Sequence, residues 1–339
     1  RAAGAARPRR RGDRMRRRSF IAGTIAAAAL PRAAVAQSVA RSARIGWVTN
    51  QSESSLATYV AAFRAALAEL GYVEGRNLTL EFGYGDNDLA RVPELTRALV
   101  RRPVDVLITQ GGATHEVRNL GLSVPVVYAT SADPVSAGLT DSLARPRDNM
   151  TGVTFMAIEL NGKRLELLRE IIPDLSRVVV LGNPEHPGAH LEHAFSEETG
   201  RQLNMTIEYL PTTTRSDLMR TLTALAARPP QAISLLADGF SIEHRQTIID
   251  FGTRHRAPVI SGWSIFAHSG AICTFGPYLA DSYRRLAYYV DRILRGAKPA
   301  DLPIERPTKF ELVANLRTAR SLALTLPPAL LLRADEVIE

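Results

Sequence analysis

The chain has 339 residues, of which 45% are hydrophobic, and its 42 lysine and arginine residues outnumber 34 aspartate and glutamate residues to give a formal net charge of +8. Ten of the arginines, but only one acidic residue, fall within residues 1 to 36, so the remainder carries 32 basic and 33 acidic groups. A nearly neutral remainder removes the main support for nucleic-acid binding, and the single cysteine, Cys273, excludes an internal disulfide.

Residues 16 to 38, RRRSFIAGTIAAAALPRAAVAQS, have the three-part layout of an export signal, ending at the small-x-small pattern AVA. The apolar part spans about a dozen residues, short of the ~20 that cross a bilayer, so we expect no membrane anchor. The sequence RRSFI also fits the twin-arginine pattern, with an ordinary secretory signal as the alternative. We expect Met15 to be the initiating residue and residues 1 to 36, which comprise upstream residues and the signal, to be removed, leaving a soluble periplasmic protein.

Short apolar runs then alternate with helical periodicity. The clearest helix places Leu56, Phe63 and Leu70 on one stripe and ends at Gly71. This alternation predicts parallel strands with helices on both faces. The predicted strands are RIGWVT (44 to 49), LTLEF (78 to 82), VDVLIT (104 to 109) and VPVVYA (124 to 129).

The pattern repeats along the chain. LTLEF at 78 matches MTIEY at 205, and Gly112 matches Gly239 at the same offset of 127. RIGWVTN at 44 likewise matches RVVVLGN at 177. About 300 residues exceed what one core usually organises, so we predict an α/β protein of two doubly wound parallel-sheet lobes. The alternative, that any two parallel α/β units resemble each other, stays open for the internal repeat.

Two such lobes predict a ligand site in the cleft between them, beyond the carboxyl ends of the strands. The loops there carry hydroxyl groups and free backbone N–H groups that suit a carboxylate, while Asp238 suits an ammonium group. Trp263, Phe240 and Phe155 are candidates for apolar walls. For any single Gly, Ser or Thr, an ordinary turn or cap role is the alternative. The predicted ligand-binding residues are Asn50, Gln51, Ser52, Gly112, Ala113, Thr114, Thr130, Ser131, Asp133, Asn183, Asp238 and Trp263.

Five longer stretches resemble the tryptophan-binding-protein-like group of ABC-transporter substrate-binding proteins. The resemblance covers nearly all of the chain after the signal. It implies a periplasmic binding protein of the type I fold, which captures a small solute between two hinged lobes and presents it to a membrane permease. The stretches are GYVEGRNLTLEF (71 to 82), LARVPELTRALVRRPVDVLIT (89 to 109), VPVVYATSADPVSAGLTDSLARPRDNMTGVT (124 to 154), ELNGKRLELLREIIPDLSRVVVLGNP (159 to 184) and RPTKFELVANLRTARSLALTLPPALLLRADEVIE (306 to 339).

The resemblance also implies three crossings between lobes, at 149 to 153, near Gly276 and at 304 to 310, with a helix at 283 to 294 returning to the first lobe. The predicted N-terminal lobe is 43–150 with 279–303, and the predicted C-terminal lobe is 154–276 with 307–339.

Relatives of this kind bind amino acids, often aromatic, and branched amino acids are a further candidate class. By resemblance, Thr114 and Thr130 lie nearest the carboxylate position and Asp238 nearest the amine position. GGATH at 111 and AICTFG at 271 depart from the usual family wording, which leaves the solute open.

A metal-dependent enzyme is the less favoured alternative. Pro187 and Gly188 interrupt the spacing of the histidines near 186, and no H-E-x-x-H order is present. The chain also lacks the G-x-S-x-G, P-loop and G-x-G-x-x-G motifs, and Cys273 in its apolar run is expected to be a buried, inert thiol. We therefore predict a monomeric binding protein without enzymatic activity, cofactor, metal or nucleic-acid partner. A periplasmic sensor that partners a membrane receptor is the second alternative.

Overall fold

The computed structural model describes residues 42–146, 148–155, 157–236 and 238–339. The predicted export signal lies outside these residues. The first sheet is entirely parallel, in the order β2-β1-β3-β4-β5. Its strands are β1 (Ala43–Thr49), β2 (Leu78–Tyr84), β3 (Val106–Gln110), β4 (Val126–Thr130) and β5 (Met150–Thr154), and the helices between them are α1 (Glu53–Glu69), α2 (Val92–Val100) and α3 (Ala113–Asn119), with a 3-10 turn at Leu89–Arg91.

The second sheet repeats this plan and extends it. Its helices are α4 (Ala157–Ile171), α5 (Ala189–Gln202), α6 (Arg215–Ala227), α7 (Gly239–Glu243), α8 (Arg245–Arg254) and α9 (Ser264–His268), followed further along by α11 (Leu316–Ser321) and α12 (Pro328–Arg333). Its strands are β6 (Arg177–Gly182), β7 (Thr206–Pro211), β8 (Ala232–Leu235), β9 (Val259–Ser261), β10 (Cys273–Pro277), β11 (Phe310–Asn315) and β12 (Glu336–Ile338). These strands lie in the order β12-β11-β10-β9-β8-β6-β7, and among the described strand pairs only β10–β11 is antiparallel. The prediction of two parallel-sheet α/β lobes is confirmed.

The two lobes share a detail that the sequence repeat anticipates. In the first lobe the Arg44 guanidinium contacts Glu81 on the neighbouring strand, 2.5 Å away, and donates to the backbone carbonyls of residues 102 and 103. In the second lobe Arg177 contacts Glu208 at 2.6 Å and donates to the carbonyls of residues 228 and 229. Each arginine lies at the N-terminal end of the first strand of its lobe and ties it to the second strand and to the loop before the third.

The first sheet is buried on both faces. Side chains such as Ile45 and Trp47 face α1, while Val48 and Leu107 on the opposite face pack with α2 and α3. Burial on both sides explains why the predicted strands are continuous apolar runs. The described helices include none with the length and apolar character needed to cross a membrane.

Three chain segments cross between the sheets side by side. The first follows β5, and the second leaves β10 for α10 (Leu279–Leu294), which packs against α1 of the first lobe. A 3-10 turn at Pro299–Asp301 follows, and the third crossing then runs beside β5, where the Thr154 N–H donates to Glu305 O at 2.8 Å. The predicted return helix begins four residues earlier than expected. The lobe boundaries themselves stay a prediction.

Candidate functional site

Two adjoining cavities lie between the lobes, beyond the carboxyl ends of the strands. A polar cavity of about 40 Å³ is lined by Asn50, Asn87 and Asn183 among others. An aromatic cavity of about 30 Å³ is lined by Tyr59, Phe155, Trp263 and Tyr283 among others. Both volumes are small beside the roughly 300 Å³ or more of a typical ligand pocket. Five residues line both cavities: Gln51, Gly111, His186, Asp238 and Gly239.

The structure brings seven of the twelve predicted residues to these cavities. They come from both lobes, because the strand ends of the two sheets face each other across the cleft. The predicted walls Phe240 and Phe155 also line the cavities. The seven are Asn50, Gln51, Gly112, Ser131, Asn183, Asp238 and Trp263.

The other five predicted residues do not line either cavity. Ala113, Thr114 and Thr130 are completely buried within the first lobe. The Thr130 hydroxyl accepts a hydrogen bond from the Ala132 N–H at 3.1 Å. Asp133 faces Arg306, 3.9 Å away, and the Ser52 hydroxyl donates to Glu243 of the second lobe. Their roles as ligand-binding residues therefore have no support from the cavity geometry.

The aromatic cavity also has polar lining residues outside the predicted set, among them Gln110 and Tyr283. Gln110 is the last residue of β3, immediately before the loop that was singled out. Tyr283 lies three residues before Leu286 on the buried stripe of α10. Gln110 is recognisable in the sequence as the polar last residue of an apolar strand, and Tyr283 as the residue one turn before Leu286 on the apolar stripe of α10.

These two residues form a buried hydrogen-bond chain that reaches Gln51. The Tyr283 hydroxyl donates to Gln110 Oε1 at 3.0 Å, and Gln110 Nε2 donates to Gln51 Oε1. The exposed fraction is 4% for Tyr283, 4% for Gln110 and 8% for Gln51. Tyr283 is itself held by ring stacking on Tyr59, with centroids 4.9 Å apart. The chain thus fixes the position of a cavity-lining amide.

Asp238 supplies a buried carboxylate from the second lobe. It caps α7, where Oδ1 accepts from the Ser241 N–H at 2.7 Å, and Oδ2 has no hydrogen-bond partner within the described part of the chain. Burial raises the pKa of Asp238 to about 6, against the lowering effect of the Ser241 hydrogen bonds and of the nearby Asn183 side chain. The described residues that line the two cavities include no lysine or arginine. The cleft therefore favours a solute that brings its own positive charge to Asp238.

His186 connects the two lobes from the same cleft. Its Nε2 lies 2.8 Å from the Ser131 hydroxyl of the first lobe. Burial lowers the pKa of His186 to about 4, and the nearby His115 acts in the same direction. The imidazole is therefore neutral at physiological pH. Two residues later, Gly188 approaches Ala132 so closely that an added Cβ would lie 3.1 Å from the alanine methyl group.

The alternative of a metal-dependent enzyme gains no support from the geometry. In the ranges that the structure describes, no group of three or more His, Cys, Asp or Glu side chains is arranged to hold a metal ion. Cys273 is buried, and burial raises the pKa of its thiol to about 12.

The chain is similar in sequence or in fold to several known proteins. The chain is 21% identical over 266 residues to a tyrosine-binding protein of Clostridioides difficile, covering 77% of this chain and 75% of that protein. A conserved domain protein from Vibrio cholerae has a similar structure, with a TM-score of 0.82 and 23% identity over 88% of this chain and all of the other.

An ABC domain from Streptococcus pneumonia in complex with L-Trp gives a TM-score of 0.81 at 21% identity, covering 87% and 99% of the two chains. A ligand-free, open substrate binding protein from Clostridium difficile gives 0.62 at 18% identity, covering 87% and 99%. The family described as ABC transporter substrate binding protein matches residues 45–338. The chain belongs to the ABC transporter substrate-binding protein family.

Proposed function

We propose that this protein binds a small amine-bearing solute, in the first place an aromatic amino acid, by closing its two lobes, and delivers it to the permease of an ABC importer. The observation that carries the proposal is Asp238, a buried carboxylate with one unpartnered oxygen among the described residues, beside a cavity walled by aromatic rings. An ammonium group is the natural partner for such a carboxylate, and the rings Tyr59, Phe155, Trp263 and Tyr283 suit an aromatic side chain.

The interlobe contacts support a closing motion. His186 with Ser131, and Ser52 with Glu243, join groups from opposite lobes and can form only when the lobes meet. The remaining cavity space is too small to admit an amino acid from solution, so entry requires the lobes to separate about the three crossing segments. The TM-score is also higher with the L-Trp complex than with the ligand-free, open protein. A solute that contacts both lobes would shift the population toward the closed form.

The remaining features of the proposal follow from the sequence. An export signal at residues 16 to 36 supports action in the periplasm, where a permease would recognise the closed surface, and we propose that the protein acts as a monomer. The lobes are proposed to be 43–150 with 279–303 and 154–276 with 307–339, with ligand contacts drawn from the strand ends of both. Binding without catalysis fits a cleft in which the described residues form no group of three or more His, Cys, Asp or Glu side chains that could hold a metal ion.

The proposal is tested by isothermal titration of the purified protein with the twenty L-amino acids, followed by the same titrations with Asp238→Asn. Loss of a charge-assisted hydrogen bond is worth about 1.5–3 kcal/mol, so affinity for the bound amino acid should fall about ten- to a hundredfold. Asp250→Asn, on the exterior of α8, is the matched control and should bind as the wild type does. Wild-type affinity in Asp238→Asn would move the ammonium site elsewhere, and no heat with any amino acid would refute the solute class.

A further inference from the structure

We infer that Gln51 is the hydrogen-bond donor for the carboxylate of the solute, and that Tyr283 and Gln110 hold it in the donating orientation. The inference rests on the proposed function and deepens it, because it identifies the second polar contact of an amino acid whose ammonium group binds Asp238. The described lining of the two cavities has no lysine or arginine, so the donor to the carboxylate has to be a neutral group such as the Gln51 amide.

The orientation of the Gln51 amide follows from the buried end of the relay, which is the chain of hydrogen bonds from Tyr283 through Gln110 to Gln51. A buried tyrosine hydroxyl has one hydrogen to donate, and Gln110 Oε1, 3.0 Å away, accepts it. This contact turns Gln110 Nε2 toward Gln51, whose Oε1 accepts in turn. If Gln110 were flipped, its NH2 group would face the tyrosine oxygen and the tyrosine hydrogen would lose its acceptor in a buried site, at the cost of an unmade hydrogen bond. Gln51 therefore has its oxygen occupied and its NH2 group available.

The available NH2 group lies where the two lobes meet. Gln51 lines both cavities, and its Nε2 is so close to Gly239 that a Cβ atom at that position would overlap with it. Gly239 directly follows Asp238. The donor from the first lobe and the carboxylate from the second lobe therefore flank the same space. Their charges and polarities complement the carboxylate and ammonium groups that share the α-carbon of an amino acid.

The hydroxyl groups that the sequence suggested for the carboxylate are less suitable. Thr114 and Thr130 have no exposed surface and line neither cavity. Gln51, in contrast, lines both cavities. The Gln51 N–H itself donates to Thr49 Oγ1 at 3.1 Å, which fixes the loop that carries the side chain.

The test compares a solute with its decarboxylated counterpart: L-tryptophan with tryptamine, and L-tyrosine with tyramine. Gln51→Met keeps the length of the side chain and removes the donor. It should weaken binding of the amino acid that the wild type binds by about ten- to a hundredfold, and should change the affinity for the matching amine by about twofold or less. Gln246→Met, on the exterior of α8, controls for a general effect of the substitution.

The relay has a separate test in Gln110→Glu, which has nearly the same shape. While the introduced carboxyl group is protonated, it can accept from Tyr283 and donate to Gln51 as glutamine does, but once ionised it can only accept. Because Gln110 is buried, the carboxyl group of an introduced glutamate should have a pKa raised above the ordinary value of about 4.3 and stay largely protonated at about pH 5.5. Ionisation would turn the Gln51 NH2 group away from the cleft, so the preference for the amino acid over its amine should be near the wild-type value at about pH 5.5 and fall about tenfold or more by about pH 9. If Gln110 had a purely structural role, the substitution would lower the affinity for the amino acid and for its amine by the same factor.

The outcomes separate this inference from the proposed function. If neither the amino acids nor the amines bind the wild type, both fail. If the wild type binds an amino acid but Gln51→Met binds it equally well, or loses amino acid and amine by the same factor, Gln51 is not the carboxylate donor although the proposed function stands. If Gln110→Glu keeps the wild-type preference at every pH and Tyr283→Phe also leaves it unchanged, the orienting relay is refuted.

Discussion

Two groups in the cleft should give the closed form opposite responses to pH. His186 has its pKa lowered from 6.5 to about 4 by burial and by His115. Asp238 has its pKa raised from 3.8 to about 6, chiefly by burial. When the lobes open or the chain unfolds, both groups return toward ordinary values, so each titration changes the stability of the closed form.

A fall in pH changes the stability of the native state in opposite directions through His186 and through Asp238. Below pH 6.5 the unfolded chain takes up a proton at His186 that the native protein does not, so the native state loses stability as the pH falls from about 6.5 toward 4. At pH 5 the difference is a factor of about thirty, or about 2 kcal/mol. Asp238 takes up its proton earlier in the native state than in the unfolded chain, so it contributes about 1.4 kcal/mol in the opposite direction at pH 5. The wild type should therefore show little net effect from this pair.

Single substitutions remove the compensation. We expect His186→Gln to be more stable than the wild type at pH 5 by about 2 kcal/mol after subtraction of their difference at pH 8. Asp238→Asn should be less stable by about 1.4 kcal/mol on the same scale. Urea unfolding at the two pH values measures both quantities, and the exposed His190→Gln is the matched control. If His186→Gln follows the wild type at both pH values, the lobes do not hold His186 in a dry contact with Ser131.

Three further predictions follow from individual contacts. Gly239→Ala should reduce solute affinity at least about tenfold by calorimetry, because its methyl group would overlap with Gln51; wild-type affinity would argue against this close contact. Cys273 should not react with a thiol reagent in the native protein and should react completely in about 6 M guanidinium, as expected for a buried thiol with a raised pKa; rapid native labelling would contradict its burial. Arg44→Ala and Arg177→Ala should each cost roughly 1–2 kcal/mol in urea unfolding, and a large asymmetry between them would argue that the two lobes do not use this contact equivalently.

The fold was largely predictable because its signals are local. The runs that form β1, β3 and β4 are apolar and buried on both faces, whereas β2 at the sheet edge exposes Thr79. All four predicted runs begin within two residues of the observed N-terminal limit. The repeat at offset 127 also had a physical cause. Glu81 and Glu208 occupy the same place in the two sheets, because each pairs with the arginine at the N-terminal end of the neighbouring strand.

The site was only partly predictable, because the sequence places a loop at the edge of a sheet without determining which side chains of that loop face the other lobe. Gln51 and Ser52 are neighbours, yet Gln51 lines both cavities while Ser52 contacts Glu243. The pleat at the end of β4 likewise buries Thr130 and leaves Ser131 to meet His186. Both choices depend on the second lobe, whose contacting residues lie 55 to 191 positions away in the chain.

The Tyr283–Gln110–Gln51 relay was not predicted from the sequence for the same reason: its members are distant in the chain and meet only in the folded protein. Tyr283 is 173 positions from Gln110 and belongs to a helix that returns to the first lobe only after the chain has built most of the second. Its ring stacks on Tyr59 of α1 along the apolar stripe, so hydrophobic periodicity assigns it to the core and says nothing of its hydroxyl. That hydroxyl nevertheless needs an acceptor once it is buried, and Gln110 is the acceptor that the end of β3 provides. A polar group that the fold must satisfy for its own stability thereby fixes the orientation of the amide that faces the solute.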